Sequence, residues 1–147
     1  MNNGITNIHE ATFEQKASPR DEPDFHSLDI SGEHIGAHIE VLPPGSTSSY
    51  HHYHTAEEEH VLVLEGTATL HLGEDQITLS AGDHVCFPAG RAVAHHIAND
   101  SDGSFRFLVF GERKKDDVVF YPEGQVVLVK SSEGLGWYNY EDRNLDQ

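Results

Sequence analysis

From His34 onward the chain breaks into short apolar or alternating runs, each closed by turn-forming residues. The runs cover 35–42, 46–54, 60–65, 67–72, 75–79, 84–88, 93–98, 105–111, 118–121 and 125–130. Between them stand Pro43-Pro44-Gly45, Gly66, Gly73, Ala81-Gly82-Asp83, Pro88-Ala89-Gly90 and Asn99-Asp100-Ser101-Asp102-Gly103. Runs this short and this closely spaced predict an all-β sandwich or barrel. No window carries a convincing apolar face at helical spacing, so little helix is expected. Alternation gives each strand two sides. Ala68, Leu70 and Leu72 share one face of 67–72, and polar residues share the other. Val61 to Leu64 and Phe105 to Phe110 are apolar on both faces, so both faces need cover. The second cover is a partner subunit or the N-terminal segment, and a homodimer is expected on that ground.

The chain divides by texture into a polar N-terminal arm at 1–33, with Pro19, Pro23 and at most one short strand, a β-barrel at 34–130, and a C-terminal tail at 131–147. A length of 147 residues fits one domain whose core needs no covalent staple. The single cysteine, Cys86, excludes an internal disulfide and reads as a small buried hydrophobe. No apolar run is long enough to span a bilayer, and the first residues lack the basic start and apolar stretch of a signal peptide. Cytoplasmic residence is expected. The balance of 25 acidic to 9 basic residues gives a net charge of −16. Such a surface repels phosphate backbones and anionic membranes, so neither nucleic acid nor membrane is an expected partner.

Histidine is the chemical anomaly: there are 12, with His51, His52, His54 and His60 in one tract and His95-His96 in another. A lone strand histidine is ordinarily a satisfied polar residue, and His9, His26, His34, His38, His71 and His84 are read so. His52 and His54 are two apart and project from one face of a strand, with Tyr53 on the other. Glu59 follows a short turn and can bring its carboxylate beside them. His95 begins a later strand, with Asn99 on the same face. Three imidazoles and one carboxylate suit Zn, Mn, Fe, Co or Ni. In an octahedral ion they leave two positions for water or substrate. Tyr50 shares the face of His52 and His54 and is a candidate proton donor or substrate ligand. Val61 and Val63 share the face of Glu59 and are expected to line an apolar wall. Arg91, in the loop before His95, is a candidate for holding an anionic substrate. Asn99 is a candidate for orienting a ligand. Glu57 and Glu58 are expected to face water, and His96 to face away from the metal.

Gly45, His52-Tyr53-His54, Glu59 and Gly66, followed by Gly82, Pro88-Ala89-Gly90, His95 and Asn99, resemble the two motifs of the cupin superfamily. The interval from Gly45 to His52 and that from Gly90 to His95 are longer than the usual pattern, which brings His51 and His96 into consideration. The His-x-His spacing selects His52 and His54, and the spacing to Asn99 selects His95. The resemblance runs from about residue 32 to 130 and implies a cupin-like double-stranded β-helix, a jelly-roll β-barrel, with one divalent metal on His52, His54, Glu59 and His95. Leu42-Pro43-Pro44-Gly45, Glu57-Glu58-Glu59, Ala94-His95-His96 and Asp117 to Pro122 are similar to those of small bacterial single-domain cupins. Some of these are named sugar-phosphate isomerases by analogy. The expected function is Lewis-acid isomerase, lyase or decarboxylase chemistry on a small polar or anionic molecule such as a sugar or sugar-acid. The alternatives are an Fe(II) dioxygenase and a non-enzymatic cupin that binds a small molecule or metal.

Overall fold

The computed structural model describes residues 4–141. Among them the regular structure is strand, apart from one 3-10 turn at Pro122–Gly124. In chain order the strands are β1 (Glu14–Lys16), β2 (Phe25–Asp29), β3 (Ile35–Leu42), β4 (Tyr53–His54), β5 (Glu59–Glu65), β6 (Thr67–Leu72) and β7 (Asp75–Ser80). They continue as β8 (His84–Phe87), β9 (His95–Ala98), β10 (Phe105–Glu112), β11 (Asp117–Tyr121), β12 (Val126–Ser131) and β13 (Gly134–Asn139). One wall is a sheet in the order β1-β2-β3-β10-β5-β8. The facing wall combines β13-β12-β11-β4 with β7-β6-β9. Bridges from His52 to His95 and from Thr47 to Ala98 join its two parts. The fold is the all-β jelly roll that the sequence predicts.

The doubly apolar strands β5 and β10 lie side by side in the interior of the six-stranded wall. Their inward residues, Val61, Val63, Phe105 and Phe107, form the core with Leu42, Leu70 and Ile97. Their outward faces are covered in part by the N-terminal segment. Arg106 donates to the Ile8 carbonyl at 3.4 Å and lies over the Phe13 ring, 5.3 Å from its centroid. The arm is therefore more structured than its polarity predicts: β1 and β2 extend the sheet beyond β3. The tail likewise supplies β13, paired along β12, while residues 142–147 of that tail and 1–3 of the arm lie outside the described residues.

The predicted strand at 46–54 shortens to β4. The backbone bends across 48–51, between the isolated bridges at Thr47 and His52. Ser48 Oγ accepts from the Ile97 amide, and Ser49 Oγ lies 3.3 Å from His52 Nδ1.

Gly111 fixes how closely β10 approaches the start of β5. It pairs with Glu59, and a Cβ there would overlap the Glu58 carbonyl oxygen. Gly36 lies across the ladder from Gly111, but a Cβ there meets the flexible Arg113 side chain at 3.5 Å. Gly111→Ala is expected to cost about 1–3 kcal/mol by overpacking, whereas Gly36→Ala stays close to wild type. Thermal denaturation of the two variants checks this; equal Tm values would contradict it.

Candidate metal centre

Three strands and one turn converge inside the barrel. β4 brings His54, the residue before it brings His52, β5 opens with Glu59 and β9 opens with His95. His52, His54 and Glu59 offer ligand atoms that all lie within 4.8 Å of one another. His54 Nε2 is 3.5 Å from Glu59 Oε2, and His95 Nε2 is 3.3 Å from Glu59 Oε1. His95 thus joins the group through the carboxylate, with its ring centroid 4.7 Å from that of His52.

The far nitrogens set the orientation. His52 Nδ1 faces the Tyr50 carbonyl at 2.7 Å, and His54 Nδ1 faces Asp117 Oδ2 at 2.7 Å. An acceptor at Nδ1 keeps a proton there and turns Nε2 inward, where it offers a lone pair to a cation once it carries no proton of its own. Phe87 stacks flat on His95, with ring centroids 3.6 Å apart. His95 Nδ1 is buried without a hydrogen-bond partner. The tautomer that leaves no buried N–H unpaired therefore donates from Nε2 to Glu59, at the position a cation would take. The donor set fits a divalent transition metal: imidazole nitrogens with one ionised carboxylate, each ring held from behind.

Charge follows the same geometry. Burial pushes the Glu59 carboxyl up, but hydrogen bonds from His54 and His95 outweigh it and hold the group well below the usual carboxylate range. Burial lowers His52 to about 4, helped by His95, so this imidazole is neutral at ordinary pH. His54 moves the other way: burial lowers it, but Glu59 and Asp117 together raise it above its ordinary value.

A second carboxyl in the same space escaped the sequence reading. Glu40, on the inward face of β3, lines a cavity of about 250 Å³ together with His38, His52, Glu59, Phe87 and His95. Burial, then the nearby charge of Glu59, pushes its pKa up to about 8. The available signal was parity: His38 and Glu40 alternate with Leu42, which is in the core. Tyr121, stacked on His52 at 5.6 Å, was also missed, and burial raises its phenol.

Several expectations change. Tyr50 does not point into the barrel; it is 54% exposed because the strand alternation fails across 48–51, and its contribution to the site is its carbonyl. Asn99 directs its side-chain amide to the turn after β9 rather than to His52, His54, Glu59 or His95. It is buried, donating to the Leu42 and Gly103 carbonyls and accepting from Ser101. Glu57 is buried rather than in water, accepting from the Lys130 ammonium and the Lys114 amide. Cys86 is exposed, not buried. Arg91 lines a second opening of about 170 Å³, beside Tyr53, His54 and His95. Val61 lines the larger cavity, Val63 lies in the core, and His96 turns away to meet His51 at 2.8 Å.

A further trio, His54, Glu57 and Asp117, has ligand atoms equally close together. Its carboxylates are already committed, however. Asp117 accepts from the Ala56 amide at 2.9 Å, and Glu57 accepts from Lys130. This trio supports the turn that carries His54.

The cupin domain family matches residues 38–111, and the chain belongs to that family. Among solved structures, a protein from Acidithiobacillus ferrooxidans, provisionally named a sugar phosphate isomerase, is 29% identical with a TM-score of 0.84 over 98% of this chain and 97% of its own. A cupin from Silicibacter pomeroyi, named a sugar phosphate isomerase, is 28% identical with a TM-score of 0.75 over 84% of this chain and 82% of its own. A protein from Thermotoga maritima, provisionally named an oxalate decarboxylase, shares the fold at 21% identity with a TM-score of 0.66, over 75% of this chain and 99% of its own. No curated protein sequence matches the chain. No helix among the described residues is long and apolar enough to cross a membrane.

Because Glu59 and Asp117 raise the His54 pKa, protons compete with a cation at His54. Affinity is expected to rise with pH through the raised His54 pKa and to level off above it, with proton release on binding. His52, neutral down to about 4, adds no such step at neutral pH. Asp117→Asn is expected to weaken binding by roughly 10–100-fold and to move the rise to lower pH. Calorimetric zinc titrations across roughly pH 5 to 8 test both; an affinity flat over that range would contradict the assignment.

Proposed function

We propose that this chain is a metal-dependent cupin enzyme that moves a proton next to the carbonyl of a small polar or anionic substrate, a sugar phosphate or sugar-acid. The observation that carries the reading is that Glu40 shares one cavity with His52, Glu59 and His95, with His54 reaching Glu59 from beside it. Two carboxyls with opposite preferences for a proton divide the labour of acid–base chemistry. Glu59 stays ionised and suits a cation. Glu40, pushed up to about 8, can hold a proton near neutral pH and release it. A divalent cation in this set supplies Lewis acidity at a substrate carbonyl. Glu40 takes a proton from the hydroxyl-bearing carbon beside that carbonyl, the proton of that hydroxyl passes to the carbonyl oxygen, and Glu40 returns a proton to the former carbonyl carbon, so an aldose and a ketose interconvert without oxidant or reductant.

The likeness to two cupins named sugar phosphate isomerases supports the substrate class. Arg91 at the second opening supports an anionic group, since a guanidinium binds phosphate or carboxylate bidentately. Leu135 and Trp137, on one face of β13, are 70% and 62% exposed, which supports a homodimer. Sedimentation equilibrium giving only monomer at micromolar concentration would remove that part of the reading.

Exchange of substrate hydrogen with solvent deuterium, followed by NMR under nitrogen over a panel of sugar phosphates and sugar-acids, tests the reaction. Glu40→Gln is expected to lower kcat by about 10²–10⁴-fold with metal content unchanged. Arg91→Ala is expected to raise KM for phosphorylated substrates more than for neutral ones. Full activity in Glu40→Gln, or no exchange into any panel member by metal-loaded wild type, would overturn the proposal.

A further inference from the structure

Outside the cavity, on the outer face of the six-stranded wall, a second group of ligand-type side chains stands together. His60 on β5 pairs directly with Cys86 on β8. The period of two puts Glu58 and His84 on the same side as these two residues. His60 Nε2 is 2.7 Å from Glu58 Oε1 and 3.8 Å from Cys86 Sγ. Ligand atoms of Glu58, His60 and Cys86 all lie within 4.8 Å of one another. Behind them, His60 Nδ1 is 2.9 Å from His84 Nε2, and Phe110 stacks on the His60 ring at 5.1 Å.

We propose that Glu58, His60 and Cys86 form a second metal site, separate from the interior one, for a borderline-soft divalent ion such as zinc. A thiolate, an imidazole and a carboxylate suit zinc, whereas magnesium and calcium prefer all-oxygen sets. Tetrahedral zinc with ordinary bond lengths separates a ligand nitrogen and sulfur by about 3.5 Å, close to the spacing of His60 and Cys86. Only Glu58 must move outward, and it is an exposed side chain free to do so. His84 acts as the orienting partner: with the proton on His60 Nδ1 donated to His84, His60 Nε2 presents its lone pair to the ion. Cys86 is free and exposed. It loses its thiol proton to solvent as the metal–sulfur bond forms, and water completes the fourth position. Since β8 is an edge strand of its sheet, the ion would clamp that edge to β5.

Cobalt(II) separates the two sites, because only a thiolate gives a sulfur-to-cobalt charge-transfer band in the near ultraviolet. The interior set contains no sulfur. In Glu59→Gln the band is expected to saturate at one cobalt per chain, and in folded wild type, where the interior set also takes cobalt, by two. It should vanish in Cys86→Ser and weaken in His60→Ala. Zinc should raise the Tm of Glu59→Gln but not of the double variant Glu59→Gln/Cys86→Ser, since the ion binds only the folded chain. No band in folded wild type would overturn the proposal. So would saturation at half a cobalt per chain, the signature of two chains bridged through their thiolates. Failure of the isomerase reading would leave the band untouched, so the two failures are distinguishable.

Discussion

An ionised carboxylate buried in an apolar barrel is the constraint around which this molecule is arranged. Uncompensated, the Glu59 charge would cost several kcal/mol or would be neutralised by a proton. Compensation comes from His54 and His95, whose Nε2 atoms lie 3.5 and 3.3 Å away, with His52 adding to the favourable field. Each ring is held in turn: His54 by Asp117, His52 by a backbone carbonyl, His95 by the face of Phe87. Asp117 is itself tied to the Ala56 amide and lies 3.9 Å from Lys130, so the support reaches through the wall into β12. The pairing of Gly111 with Glu59 sets where this chain of contacts begins.

The cavity then separates two carboxyls that are chemically alike. Glu59 has imidazole donors around it and stays charged; Glu40 has apolar walls and the Glu59 charge nearby, and holds its proton to about 8. Like charges in one enclosed space push their titrations apart, which is the arrangement that lets one group hold a cation while the other handles a proton. The imidazoles divide similarly. Burial keeps His52 neutral, whereas Glu59 and Asp117 favour the charged form of His54.

The fold was legible because alternation and turn residues report strand geometry directly, and β3 matches its predicted run residue for residue. The convergence of His52, His54, Glu59 and His95 was legible for the same reason: spacing of two on a strand fixes a face, and a tight turn places Glu59 beside it. What escaped was set by contacts distant in sequence. Glu40 looks like an ordinary polar residue in a strand until β3 is known to face the imidazoles. Asp117 belonged to a recognisable segment, but its bond to His54 crosses 63 positions of chain. Tyr50 was misplaced because the alternation rule was carried across 48–51, where the backbone bends instead of running as a strand. The arm and tail hid β1 and β13, which are edge strands that bury little, and β2, a short strand between β1 and β3 that buries only Phe25 and Ser27.

The run Glu57-Glu58-Glu59 shows how far position outweighs residue type. Three identical side chains in succession meet three environments: Glu57 is buried against Lys130, Glu58 turns outward to His60, and Glu59 turns inward to the imidazoles. The wall between the outer and inner groups is one strand thick, and the period of two along β5 is what keeps them apart. A one-residue slip of β5 would exchange the faces, placing His60 in the cavity and Glu59 outside. The register is held by the β10 and β8 pairings on either side and by the close approach at Gly111, where no side chain larger than hydrogen fits. The strand that presents a carboxylate to the interior site thus presents the proposed exterior ligands by the same geometry, and neither face can shift without the other.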